Sequence, residues 1–226
     1  MGYSSGGDPV HESDFSDVLD VLAGRSPWRD YLRKNLDVAR KAGKGSFRVL
    51  DVNNFHSTTG YGTQTPGVTN KNTGDIVMQQ WGRPEHTYLL AALHECVHWV
   101  SAPAEQGAKN GLSTAHGVMG DGILEGLVEV VTEDIMGEQK INLPKADLRG
   151  HQERVPIVRR LMATTSVDFF ARPLFLGELT NFVMVMNATY SPEGFGRIRG
   201  FATANLQKEA LETITNLRSQ RAGSGR

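Results

Sequence analysis

Cysteine is nearly missing from these 226 residues: there is one, Cys96. A single thiol makes no intramolecular disulfide. That excludes a stapled secreted mini-domain and a structural zinc site built on several cysteines. A charge surplus is missing too. The chain has 24 Lys and Arg against 25 Asp and Glu, whereas a dedicated nucleic-acid binder usually carries a basic excess. No run approaches the roughly 20 apolar residues that span a bilayer. The longest, such as Tyr88 to Leu93, are interrupted within a helical turn or two. The first residues are acidic and lack the apolar stretch of a signal peptide. No internal repeat is visible. These absences point to a soluble globular protein with no nucleic-acid or membrane partner, either cytoplasmic or delivered to a target cell within a longer secreted protein.

What is present begins with glycine, 25 residues of it, above the usual share and suggestive of many turns. Residues 1–14 and 219–226 read as flexible ends around one domain at 15–218. Helical spacing runs through Phe15 to Leu22 and through Trp28, Tyr31, Leu32 and Leu36. Ser46 to Asp51 reads as a short strand, and residues 56–74 as a Thr-, Gly- and Asn-rich loop or hairpin. Asn72-Thr73-Gly74 is a turn signal before a second strand, Asp75 to Gln79. Pro84 suits a first helical position, and a helix over Glu85 to Ser101 follows it. After a Gly-rich loop at 102–120, Asp121 is a fitting N-cap for a helix from Gly122 to Met136, with Gly137 as its stop. Further helices are expected at 151–164, 166–187 and 191–217, the last two broken near Pro173 and Gly196–Gly200. Strands first and helices afterwards make the class α+β. The expected sheet is small and mostly antiparallel. Residues 15–101 supply the sheet and the helix over Glu85 to Ser101, and 102–218 a helical part.

One motif carries chemistry. His94-Glu95-Cys96-Val97-His98 reads HExxH. On a helix, positions i and i+4 lie one above the other, so both imidazoles can reach one ion. Neutral imidazoles suit Zn²⁺, and one zinc per chain is expected. Glu95, one step around the helix, is placed to take a proton from a metal-bound water. A catalytic zinc needs a third protein ligand and an open position. Downstream candidates are His116, Asp121, Glu125, Glu129 and Glu133. The three glutamates recur every four residues among Ile123, Leu124, Leu127, Val128, Val130 and Val131, so their helix should be buried. Buried carboxylates need partners. Glu125 is the best placed ligand, with Glu129 one turn on to accept a hydrogen bond from a ligand histidine. Asp121 and Glu129 stay open as alternatives for the third ligand. Glu133 reads as a surface or helix-end group, and Cys96 as a small buried hydrophobe.

With its downstream Leu124-Glu125-Gly126-Leu127-Val128-Glu129, the motif resembles the gluzincin metallopeptidases. In that family the HExxH helix is joined by a second helix carrying a Glu ligand followed by a small residue. The resemblance implies a zincin-like fold and peptide-bond hydrolysis of the endopeptidase kind, with Glu95 as general base and a protein or peptide as substrate. It also implies an edge strand before the active-site helix, and Asp75 to Gln79 stands in that position. Three side chains are candidates to stabilise the transition state: Tyr190, His116 and His151. More loosely, the C-terminal part resembles metallopeptidase-like domains at the ends of bacterial toxins. That likeness implies an effector role and an inhibitor or immunity protein as partner. A catalytically inactive zincin-like binding module is the alternative, which the intact Glu95 disfavours.

Overall fold

The structure is a computed structural model. It describes residues 21–22, 24, 26–42, 47–62, 65–70, 75–80, 85–101, 118–138 and 153–223. The chain divides into two compact units. Unit 1 comprises Met1–Leu112 with Val131–Asp147, and unit 2 comprises Ser113–Val130 with Leu148–Arg226.

Unit 1 begins with helix α1 (Arg29–Ala42), whose buried residues Leu32, Asn35 and Leu36 follow the expected helical spacing. Strand β1 (Phe47–Leu50) comes next, then helix α2 (Val52–Thr59), strands β2 (Gly67–Thr69) and β3 (Ile76–Gln79), and helix α3 (Glu85–Ser101). The three strands form one sheet in the order β1-β3-β2. β1 pairs in parallel with β3, setting Phe47 opposite Ile76 and Leu50 opposite Gln79. β2 pairs antiparallel with β3, setting Gly67 opposite Met78 and Thr69 opposite Ile76. The hairpin expected here is therefore present, closed by Asn70 N–H donating to Asp75 C=O at 2.7 Å.

Two expectations for the sheet are corrected. It is mixed, not mostly antiparallel. The strand at Asp75 to Gln79 is central, because the three residues of β2, too short to show a period, pair along its side. On one face Leu50, Phe55 and Val77 form a buried cluster with Val68 packed against it. Strand alternation turns Gly67, Thr69 and Met78 to the opposite face, where α3 packs on both β2 and β3.

Helix α2 lies in a stretch whose residues from 56 onward read as loop. Asp51 caps its start by accepting from the Asn53 and Asn54 N–H groups, both at 3.0 Å. Gly60 ends it in the left-handed region at φ 73°. α1 is tied to the end of α3 by Asn35 Nδ2, which donates to Val100 C=O at 2.7 Å and satisfies a last-turn carbonyl.

Helix α4 (Asp121–Glu138) contributes its first part to unit 2 and its last part to unit 1. It starts one residue before the expected bound. The Gly120 carbonyl accepts its first bonds, and Asp121 sits inside the first turn instead of capping it. Gly137, expected as the stop, is helical. In unit 1, the indole Nε1 of the fully buried Trp28 donates to Asp134 Oδ2 at 2.8 Å.

The rest of unit 2 consists of helices α5 (Val155–Met162), α6 (Val167–Leu176), α7 (Leu179–Tyr190), α8 (Pro192–Thr203) and α9 (Gln207–Gly223). α9 thus runs five residues into the stretch read as a tail, Ser219 to Gly223. Rings of Phe169, Phe170, Phe182 and Phe195 meet at centroid distances of 5.3 to 5.9 Å. The breaks expected at Pro173 and at Gly196–Gly200 are absent. Pro173 removes one N–H, which the burial of Phe170, Ala171, Leu174 and Phe175 offsets, and α6 stops instead at Gly177. Gly196 and Gly200 sit on the exposed side of α8 above buried Phe195, Ile198 and Ala202. The chain turns after Ala204, where Asn205 takes φ 58°. Among the described residues no helix is long and apolar enough to cross a membrane.

Candidate metal centre

The segment that forms α3 is rich in Leu and Ala, which lose little freedom in a helix. Leu90, Ala92, Leu93, Cys96, Val97 and Val100 are all buried. With apolar residues around most of its circumference, the helix carries His94, Glu95 and His98 into the interior, at 7%, 8% and 6% exposure. The i, i+4 spacing stacks the imidazoles as expected. Their Nε2 atoms lie 3.1 Å apart, with ring centroids at 4.8 Å.

In unit 2, Gly122 and Gly126 leave one side of α4 without side chains. A Cβ at Gly122 would stand 2.1 Å from the Ala202 backbone, and one at Gly126 would stand 2.8 Å from Arg154 Cβ. The first turns of α4 are therefore gripped by α8 and by the start of α5 at near-backbone distance. Gly122 N–H also donates to Thr203 Oγ1 at 3.3 Å. Glu125 lies between these two glycines and is half-buried.

Among the described residues, one group of three or more His, Cys, Asp or Glu side chains could hold a metal ion: His94, His98 and Glu125. Each offers one ligand atom, and these atoms lie within 4.8 Å of one another. The donor set fits zinc, since two imidazoles and one carboxylate leave a fourth position open. The imidazole spacing fits as well. Two nitrogens, each about 2.0–2.1 Å from one tetrahedral ion, stand roughly 3.3 Å apart.

Asp121 and Glu129, the alternatives for a third ligand, are not in this group. Asp121 is exposed in the first turn of α4, Glu129 is buried, and Glu133 is half-buried. Cys96 is completely buried. That burial pushes its thiol well above the ordinary value, and the Glu95 charge adds to the push. Tyr190 is buried in unit 2. Its hydroxyl accepts from Arg218 Nε at 2.9 Å and from the same guanidinium's second nitrogen at 2.6 Å. The same arginine reaches the Arg160 carbonyl and Thr164 Oγ1. His116 and His151 lie outside the described residues.

One side chain at the centre has no counterpart in the sequence reading. Thr69 Oγ1 donates to Glu95 Oε2 at 2.7 Å and lies 3.0 Å from the Glu95 carbonyl. Thr69 belongs to a stretch with many threonines, and only the pairing of β2 distinguishes it. The chain matches no protein-family model, no curated protein and no solved structure.

Proposed function

We propose that this chain is a zinc-dependent metallopeptidase of the gluzincin type. The observation that carries the reading is the convergence of His94, His98 and Glu125, with ligand atoms within 4.8 Å of one another, next to the buried carboxylate of Glu95. A bound zinc supplies Lewis acidity, polarising a carbonyl and lowering the pKa of water towards about 7.

The chain's own residues supply the rest. His94 and His98 present neutral nitrogens from consecutive turns of one helix. Glu125 adds one negative charge from another helix. Glu95 takes a proton from the attacking water on its carboxylate and returns it to the leaving amine. A pure binding site would have no use for that group, and its burial costs free energy that a passive fold would avoid.

The test compares Glu95→Gln with wild type after both are loaded with one zinc. The expected outcome is unchanged metal content and cleavage of a labelled casein reduced by about 10²–10⁴-fold. Full activity in the metal-loaded variant would overturn the mechanism.

A further inference from the structure

The edge strand β2, which packs on α3, frames the side chain of Glu95 at both ends. Gly67 and Thr69 are two residues apart on β2 and so face the same way, towards α3. A Cβ at Gly67 would stand 3.1 Å from Glu95 Cγ and 2.5 Å from Met78 Sδ. The absence of a side chain there gives the Glu95 methylenes their place. Thr69 then holds the far end, its hydroxyl 2.7 Å from Oε2. A hydrogen bond to a carboxylate at that length is of the strong, charge-assisted kind. The same hydroxyl lies 3.0 Å from the Glu95 carbonyl, so one side chain touches both the backbone and the tip of the same residue. The other oxygen, Oε1, makes no hydrogen bond among the described residues.

We infer that Thr69 is the positioning residue for Glu95: it ties down Oε2, so that Oε1 is the oxygen that meets the reacting water. This rests on the general-base reading given above. A glutamate has three rotatable bonds, and a buried one without a tether samples several directions. Proton transfer needs the carboxylate oxygen within about 2.6–3.2 Å of the proton's heavy atom. A misplacement of about 1 Å can cost on the order of 100-fold in rate. The strand also links the base to the sheet, so the position of Glu95 depends on the β2–β3 register as well as on its own helix.

Two variants test this. Thr69→Val keeps the β-branched shape and removes the hydroxyl, and Thr69→Ser keeps the hydroxyl. With zinc-loaded protein and fluorescein-labelled casein, Thr69→Val is expected to lower kcat by about 10- to 100-fold. KM, zinc content and melting temperature should stay close to wild type, and Thr69→Ser should recover most of the rate. Crystal structures of wild type and Thr69→Val supply a readout without turnover. The Glu95 carboxylate should leave its wild-type direction, or spread over several, in the valine variant.

Wild-type kcat in Thr69→Val, or a serine variant as slow as the valine one, overturns the assignment. If zinc-loaded wild type leaves casein intact, the peptidase reading has failed, and the structures alone decide whether Thr69 orients Glu95. An unmoved carboxylate in Thr69→Val then overturns the inference, and a displaced one upholds it.

Discussion

The interiors of the two units are built from different material. In unit 2 the described core is aromatic and aliphatic, centred on Phe170, Phe175, Phe182 and Phe195, and Glu129 is its one buried charged or polar side chain. In unit 1 the described core also holds Ser26, Asn35, Gln79, His94, Glu95, His98, Ser101 and Thr132. Several of these polar groups have evident structural partners. Asn35 satisfies Val100 C=O, and Ser101 Oγ donates to His98 C=O at 2.7 Å. Two histidines and a glutamate within one helical turn are a different matter. Burying them costs free energy that hydrophobic packing would not. One described interior is thus packed almost entirely with apolar side chains, and the other holds most of the buried polar ones.

The contrast breaks most visibly at Phe182, which is 1% exposed and touches the rings of Phe169, Phe170 and Phe195. Phe182→Ala is expected to cost about 3–5 kcal/mol in a denaturant titration while leaving zinc stoichiometry unchanged in the protein that stays folded. A loss of zinc from that folded fraction would show that the two interiors are not separable in this way.

The proposed zinc site supplies the next test. At a free concentration about 100 times its Kd, it should stabilise the wild type by about 2.7 kcal/mol, read as a rise in melting temperature. His94→Ala should lose that rise. An equal rise in both proteins would place the binding elsewhere.

The smallest effect belongs to the surface. The Asn54 and Asn53 N–H groups hold the Asp51 carboxyl below its ordinary value of 3.8, the Asn54 backbone bond contributing most. A lowered folded value means that this cap stabilises α2 fully above the ordinary value and fades as pH falls through the lowered one. Asp51→Ala should therefore melt slightly earlier than wild type at neutral pH, and the two curves should converge in strong acid.

How much of this was legible beforehand depends on the length of the signal. Helix α3 has the bounds expected from its sequence, Glu85 to Ser101, and it carries the histidines on one face as the four-residue spacing requires. The helix of Glu125 was legible from its apolar surroundings, with an error of one or two residues at each end. Short elements were not legible. β2 has three residues, no room for alternation to show, and Thr and Gly in abundance nearby. α2 is built from Val, Asn, His, Ser and Thr around a single buried anchor, Phe55, and its best signal was the pair of caps at Asp51 and Gly60. Pro173, Gly196 and Gly200 misled because tertiary burial outweighed their local cost. Thr69 was invisible for a related reason: its partner is 26 residues away, and no local pattern encodes that distance.

The grip on the first turn of α4 has a consequence for how the protein is made. Gly122 meets Ala202 and Thr203, and its hydrogen bond to Thr203 spans 81 residues. At synthesis rates of about 5–20 residues per second, the seat of that turn is absent for several seconds after Gly122 has left the ribosome's catalytic centre. The histidines belong to one helix and are spaced by local winding alone. Glu125 has no such autonomy. A nascent chain that stops before residue 203 holds the histidine pair but lacks the backbone against which the helix of Glu125 is set.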